Sequence, residues 1–218
     1  MKFFSMPQTA DATSTGMGAK QRKHMVARHR HSFDRHGYSS STLFWSSRGL
    51  QKVRFKALSE IGVEAWDSLL DVGCGFGDLF GWLGGNDLPV DYTGIDISQD
   101  ILNKGMELNP ELRLLHGELF DFDWPVQSFD WVFLSGTLNW NLHDNGEHAL
   151  RLIRRMFELC RCGVAFNMLD QRHVNTATLG DLQAYDAADI FAFCQQLTSD
   201  CQLRTDYLSN DFTIYMKR

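Results

Sequence analysis

The sequence predicts an α/β protein with a doubly wound, mostly parallel β-sheet. From about residue 47 onward, short apolar runs alternate with segments of helical periodicity. The apolar pair Leu69-Leu70 leads into a glycine-rich turn at 73–77, and an apolar helical pattern follows the turn. A second short strand over 91–98 contains an acidic residue, Asp96, which comes 19 residues after Gly77. In doubly wound folds a carboxylate at about this distance accepts hydrogen bonds from ribose hydroxyls.

The first half of this pattern begins with a helix over 47–61. Its apolar residues recur at intervals of three and four, which is typical of an amphipathic helix: Leu50, Val53, Ala57, Leu58 and Ile61. The first strand follows at 69–72, and a second helix begins near Leu79. After the second strand, Ser98 is placed to cap a helix that Asn109-Pro110 ends near residue 108.

The second half continues the alternation and ends in a pair of strands. The fourth strand is strongly apolar, as expected of a parallel strand that is buried on both faces. The last two strands are joined by residues 209–211, a connection of hairpin size, so we expect them to be antiparallel. The predicted elements are strands at 112–116, 129–134, 163–169, 203–208 and 212–216, and helices at 146–159 and 187–197.

The glycine-rich turn favours a cationic ligand over a pyrophosphate. Glycines at 73, 75 and 77 allow a sharp turn and let a ligand approach the backbone closely. The spacing differs from the dinucleotide pattern G-x-G-x-x-G, and two carboxylates, Asp71 and Asp78, flank the turn. A pyrophosphate is favoured by helix amides and disfavoured by nearby carboxylates. An ammonium or a sulfonium group suits this acidic turn better.

Taken together, residues 71–77 and Asp96 resemble motifs I and II of the class I (Rossmann-like, seven-stranded) S-adenosylmethionine (SAM)-dependent methyltransferases. The segment 128–136 resembles the fourth-strand motif of the same family, and the resemblance covers roughly residues 50–218. It implies an enzyme, a transferase with SAM as its cofactor and a seven-stranded sheet that ends in an antiparallel pair. It gives almost no information about the methyl acceptor.

The resemblance also implies site residues. The family contacts adenine just after the third strand, a place held here by Glu118-Leu119, with Asp121 as an alternative. Either Arg48 or Arg54 is placed to pair with the cofactor carboxylate, and we favour Arg54. The full set expected to bind the cofactor is Asp71, Gly73, Cys74, Gly75, Gly77, Asp96, Ile97, Glu118, Leu119, Ser135, Tyr38 and Arg54. The set expected to hold the acceptor is Asn139, Trp140, Asn141 and Trp45.

The chain is predicted to have three parts. Residues 1–19 have almost no apolar anchor and are expected to be disordered. Residues 20–47 are basic and aromatic, and by their position they resemble the family's lid over the cofactor. Residues 48–218 form the SAM-binding domain. Residues 1–66 contain 11 Lys and Arg against 4 Asp and Glu, although the whole chain has a net charge of −6. This basic segment faces either an anionic partner or the acidic remainder of the chain.

Metal binding and membrane insertion are not expected. The histidines at 29 and 31 have a spacing that fits no common helical metal site, and the five cysteines form no Cys-x-x-Cys pair. No apolar run approaches the roughly 18 residues that cross a bilayer. The start of the chain lacks the apolar core of a signal peptide. We therefore expect reduced thiols and a cytoplasmic protein.

The preferred function is methyl transfer to a small-molecule acceptor by in-line displacement. No general base can be named, although His36, His143 and His173 are the histidines nearest to the expected site. Two alternatives stay open. The first is an RNA or tRNA methyltransferase that holds phosphates with its basic N-terminal segment. The second is a non-catalytic SAM-binding subunit of another protein. The sequence leaves the oligomeric state open.

Overall fold

The computed structural model describes residues 16–175 and 180–218 and contains one seven-stranded sheet. The strand order is β3-β2-β1-β4-β5-β7-β6, with β7 antiparallel to both of its neighbours and the other pairs parallel. The strands are β1 (Ser68–Val72), β2 (Asp91–Asp96), β3 (Leu114–His116), β4 (Phe129–Ser135), β5 (Cys160–Leu169), β6 (Cys201–Arg204) and β7 (Asp211–Lys217). The helices are α1 (Ala19–His36), α2 (Arg48–Ser59), α3 (Asp78–Gly84), α4 (Gln99–Leu108), α5 (Glu147–Leu159) and α6 (Ala187–Gln195). The predicted fold class is confirmed.

The central strands are buried on both faces because helices cover both sides of the sheet. Successive residues of a strand point to opposite faces. Leu69 and Phe133 belong to a cluster with residues of α2 and α3, whereas Leu70 and Val132 belong to a cluster with α5 and α6. The apolar run at 131–134 in β4, which predicted a central parallel strand, is explained by this double packing.

Helix α1 has a buried stripe that the sequence reading did not recognise. Its buried residues are Met25, His29 and Ser32, which follow one another at intervals of four and three. Gly37 ends the helix with a φ of 57°, and its backbone N–H donates to the Phe33 carbonyl. The prediction of disorder for residues 1–19 falls mostly outside the described residues.

Several predicted boundaries need correction. Strand β6 ends at Arg204, so six residues rather than three connect it to β7. Arg204 turns aside there and donates 2.7 and 3.1 Å hydrogen bonds to Asp206, so the strand does not continue to residue 208 as predicted. Ser98 does occupy the N-cap of α4, but its side chain makes no capping bond. In α2 the buried face includes Gln51 and Arg54, while the predicted Leu50 and Val53 are half-buried.

The described residues include no helix that is long and apolar enough to cross a membrane.

Candidate cofactor and acceptor site

A cavity of about 310 Å³ lies at the carboxyl ends of the parallel strands. Four strand ends, those of β1, β2, β3 and β4, contribute to its floor. In sheets of this kind ligands bind outside the carboxyl ends of the strands, at the point where the strand order reverses. The opposite wall comes from α1 and from the segment 43–46, which precedes α2.

The glycine turn after β1 is fixed by hydrogen bonds to β2. The backbone N–H groups of Gly73 and Cys74 both donate to the Ile95 carbonyl, over 2.8 and 2.9 Å. Gly73 has a φ of 73°, and a Cβ built on it would lie 1.9 Å from Thr137 Oγ1. Gly75 has a φ of 57°, and its Cβ would lie 2.8 Å from Leu43 Cδ1. Both positions therefore require glycine.

Two buried carboxylates follow β2 and β3. Asp96 accepts 3.0 and 2.9 Å hydrogen bonds from the backbone N–H groups of Gly75 and Ser98, so one oxygen binds the turn and the other the start of α4. Glu118 Oε1 accepts from Met17 N at 2.9 Å and from Arg22 Nη2 at 2.5 Å. Glu118 Oε2 is buried and has no hydrogen-bond partner among the described residues. It is therefore an acceptor available to a ligand in the cavity.

Asp71, at the end of β1, is a third acid in the same cavity. Burial raises its pKa to about 7, and the nearby charges of Asp96 and Asp78 act in the same direction. The Tyr92 hydroxyl donates a 2.6 Å hydrogen bond to Asp71 Oδ2, which opposes the rise. A cation placed in this cavity would favour the ionised form of Asp71.

The other end of the cavity is aromatic. Trp45 packs against Gly136, where an added Cβ would lie 2.4 Å from the indole ring. The rings of Phe44 and Trp140 meet edge to face, with their centroids 5.0 Å apart. Arg54 lies over the Trp45 ring at 4.6 Å and forms a two-pronged ion pair with the buried Asp211.

The structure brings most of the predicted site residues together. Those that line the cavity are Asp71, Gly73, Cys74, Asp96, Ile97, Glu118, Leu119, Ser135, Arg54, Asn139, Trp140 and Trp45. Gly75 and Gly77 shape the turn but do not line the cavity, and Asn141 does not line it either. Tyr38 lies at a separate groove, where its hydroxyl donates to Asp78, because the chain turns inward only after residue 39. Their predicted binding roles stay predictions.

Some residues that line the cavity were not among the predicted site residues. His29, Phe44, Thr137 and His148 line the cavity, whereas the three predicted histidines, His36, His143 and His173, are exposed and do not line it. The interval between Met25 and His29 was a usable signal for His29. Phe44 adjoins the predicted Trp45, but it has a φ of 61° and its place depends on this left-handed turn.

The chain is similar in sequence and in fold to proteins named as methyltransferases. The sequence pattern described as "Methyltransferase domain" matches residues 69–161, which hold the glycine turn and the strands β1 to β4. An uncharacterized methyltransferase of Schizosaccharomyces pombe is 33% identical over 106 residues, which are 44% of this chain and 40% of that protein. A protein of Mycobacterium tuberculosis named as a methyltransferase is 26% identical over 159 residues, covering 69% of this chain and 93% of that protein.

Solved structures show the same architecture. A SAM-dependent methyltransferase from Archaeoglobus fulgidus aligns with a TM-score of 0.63 and 13% identity, over 79% of this chain and 95% of that one. A magnesium protoporphyrin IX methyltransferase from Synechocystis, solved with bound SAH, aligns with a TM-score of 0.59 and 12% identity, over 91% of this chain and 99% of that one.

These findings confirm the resemblance to methyltransferases that the motifs indicated. Residues 69–161 match the pattern of a methyltransferase domain, and the chain shares its fold with solved SAM-dependent methyltransferases. The cofactor of this class is SAM, as the sequence motifs predicted. The chain spans 40% of the length of its S. pombe relative.

Proposed function

We propose that the chain binds SAM in the cavity described above and transfers its methyl group to a small-molecule acceptor by direct in-line displacement. The observation that carries the proposal is the unpartnered, buried Oε2 of Glu118, which shares the cavity with Asp96 and the glycine turn. A buried acceptor without a partner costs about 1–3 kcal/mol, and a ligand that donates to it recovers this free energy.

The residues present fit the cofactor. Asp96 and Glu118 are placed to accept from the adenosine half, and each follows a different strand of the same edge. Together with Asp71, these two residues make three acids in the cavity, and they favour a ligand that carries positive charge. When bound, SAM supplies a methyl group on a positively charged sulfur that leaves as a neutral thioether.

The chain itself contributes alignment and the exclusion of water. The aromatic residues Phe44, Trp45 and Trp140 form an apolar wall at the end of the cavity next to β4, where the acceptor is expected. Holding the two reactants in line supplies up to about 7–11 kcal/mol of the barrier in favourable cases. A covalent intermediate on the protein is not required.

In this proposal the N-terminal segment is a lid over the cavity. Arg22 of α1 pairs with Glu118 and with Asp121, at 2.5 and 2.7 Å, after β3. Arg28 pairs with Asp181, and Arg30 pairs with Asp100 at the start of α4. The helix is thus held at three places, of which the contact with Glu118 lies in the cavity, and these arginines neutralise carboxylates of their own chain.

These ion pairs favour a small-molecule acceptor over RNA. A phosphate-binding arm needs cations that are available to phosphates. Among the described residues of α1, the lysines and arginines without an ion pair are Lys20, Lys23 and Arg35. All three are exposed. RNA is therefore the second candidate, supported by this smaller exposed set.

A screen for methyl transfer from tritiated SAM tests the acceptor class directly. Purified protein is offered a metabolite extract, total RNA, tRNA and a peptide pool in separate reactions. Label in the metabolite fraction alone is the expected result, and label in RNA contradicts the small-molecule proposal.

A chain lacking residues 1–45 tests the lid. It should bind SAM more weakly than the full chain, whereas unchanged SAM affinity in a folded truncated protein refutes the lid.

A further inference from the structure

His29 is a buried histidine that lines the cavity and forms no ion pair among the described residues. His29 lies on the inner face of α1 with only 9% of its surface exposed, and it lines the cavity together with Asp96 and Trp140. Its Nδ1 is buried and has no hydrogen-bond partner among the described residues. The edges of Phe44 and Trp140 pack against the imidazole, with ring centroids 5.6 and 5.5 Å away.

This surrounding places His29 at the acceptor end of the cavity. Trp140 follows β4, in the segment predicted to hold the acceptor, and Phe44 belongs to the wall opposite the glycine turn. The second histidine of the cavity, His148, is placed differently. Its Nε2 lies 3.9 Å from Glu118 Oε2, at the end predicted to hold adenine.

The burial of His29 favours its neutral form. Burial lowers its pKa, and Arg28 acts in the same direction, while Asp96 and the Met25 carbonyl oppose the change. The other titratable groups that line the cavity are Asp71, Cys74, Arg54, Glu118 and His148. A neutral imidazole at neutral pH is able to accept a proton.

The acids of the cavity are less suited to that task. Asp96 holds two backbone N–H groups, and Glu118 Oε1 is held by Arg22 and Met17. Asp71 accepts from the Tyr92 hydroxyl at the floor of the cavity. His29, by contrast, is surrounded by aromatic rings, and its imidazole forms no ion pair with an acid of the described residues.

We infer that His29 is the catalytic base of the reaction, and that the acceptor reacts through an atom that carries a proton, with a phenolic hydroxyl as the type that suits the aromatic wall. This inference rests on the proposed function. The acceptor oxygen forms a bond to the methyl carbon while the carbon–sulfur bond breaks and its electron pair returns to sulfur. The hydroxyl proton moves to the imidazole, and the imidazolium then releases it to solvent.

The test compares His29→Gln with His31→Gln in the full chain. His31 lies on the same helix but is exposed and outside the cavity, so it controls for changes in the histidine content of α1. Transfer of tritiated methyl from SAM is measured to a panel of small phenols and, separately, to small carboxylic acids, which react without losing a proton. SAH affinity is measured by calorimetry on the same samples.

We expect the wild type to methylate phenols at a rate that rises with pH through a midpoint below about 6.5, the ordinary histidine value. His29→Gln should bind SAH nearly as tightly and transfer methyl about 10²–10⁴-fold more slowly. Its residual rate should rise only towards the pKa of the phenol. His31→Gln should match the wild type. Equal rates and equal pH profiles in His29→Gln, or transfer to carboxylic acids alone, would overturn the inference.

A second readout needs no acceptor. Histidine ring signals are titrated by NMR in the SAH complex, with His29→Gln used only to assign the signal. We expect the His29 signal to be neutral at pH 7, and a protonated imidazole at that pH would refute the base. A wild type that fails to bind SAH would instead refute the proposed function, so the two failures are distinguishable.

Discussion

The two ends of the cavity are built from different chemistry. At the ends of β1, β2 and β3 the side chains are the buried acids Asp71, Asp96 and Glu118. Next to β4 the walls are aromatic: Arg28 lies over the rings of Phe44 and Trp140, and Arg54, which lies over Trp45, pairs with Asp211. An acid-rich end suits a ligand with many donors and a positive charge, whereas an aromatic end suits an apolar acceptor. We therefore propose that the adenosine half of the cofactor binds at the acidic end and the acceptor at the aromatic end.

The origin of the two ends also differs. The acids stand on strand ends of the sheet, where the backbone is held by neighbouring strands. The aromatic wall is supplied largely by Phe44 and Trp45, which precede α2 and reach the cavity only because residues 39–46 fold over it. The acidic end is therefore part of the sheet, and the aromatic end depends on the N-terminal segment.

The largest expected effect is at the acidic end. Asp96→Ala should weaken SAH binding by about 1.5–3 kcal/mol for each ribose hydrogen bond that is lost, because the acceptor is charged. Calorimetry with SAH measures the change. Asp91→Ala, at the exposed opposite end of the same strand, is the matched control and should bind as the wild type does. Unchanged affinity in a folded Asp96→Ala would separate the acidic end from the cofactor.

At the aromatic end, Arg54→Met should lower the free energy of unfolding by about 3–5 kcal/mol, because it leaves the buried Asp211 without its partner. Urea unfolding measures the loss. The double variant Arg54→Met with Asp211→Leu should recover most of it, since no buried charge then remains. A single variant as stable as the wild type would contradict the importance of the pair. SAH affinity in the double variant also tests the predicted contact between Arg54 and the cofactor.

The sequence predicted the acidic end better than the aromatic end. Asp71, Asp96 and Glu118 follow strands that apolar runs reveal, and the carboxyl ends of parallel strands meet at one edge. The pairing of Arg54 with Asp211 joins residues 157 positions apart, and no local pattern indicates it. The sequence pattern did not indicate His29, because the inner face of α1 contains a histidine and a serine where an amphipathic helix has apolar residues.

A third prediction concerns Asp71 and the pH dependence of stability. Its folded pKa of about 7 lies above the ordinary value of 3.8, so the folded state binds the proton more tightly. The stability that this proton contributes is fully present below pH 3.8 and is lost as the pH rises to 7. Relative to Asp71→Asn, the wild type should lose at most about 4 kcal/mol over this range. Urea unfolding at several pH values measures it, and parallel curves for the two proteins would contradict the buried acid.

The smallest effect is expected at the lid. Arg22→Gln removes the ion pair with Glu118 and should weaken SAH binding by about 1 kcal/mol or less, because the arginine is partly exposed. SAH should also dissociate faster, which stopped-flow measurements detect. Arg30→Gln, whose partner Asp100 lies outside the cavity, should leave the dissociation rate unchanged. Equal rates in all three proteins would show that α1 does not close over the cofactor.

Calorimetry of the full chain with SAH and, separately, with NAD tests the central claim most directly. The acidic turn with its two flanking carboxylates disfavours a pyrophosphate, and the unpartnered Glu118 Oε2 favours a donor-rich adenosine. The account predicts one SAH site per chain, no heat with NAD, and weaker SAH binding in Glu118→Gln than in wild type. Binding of NAD, or no SAH binding at millimolar concentration by the folded protein, would contradict it.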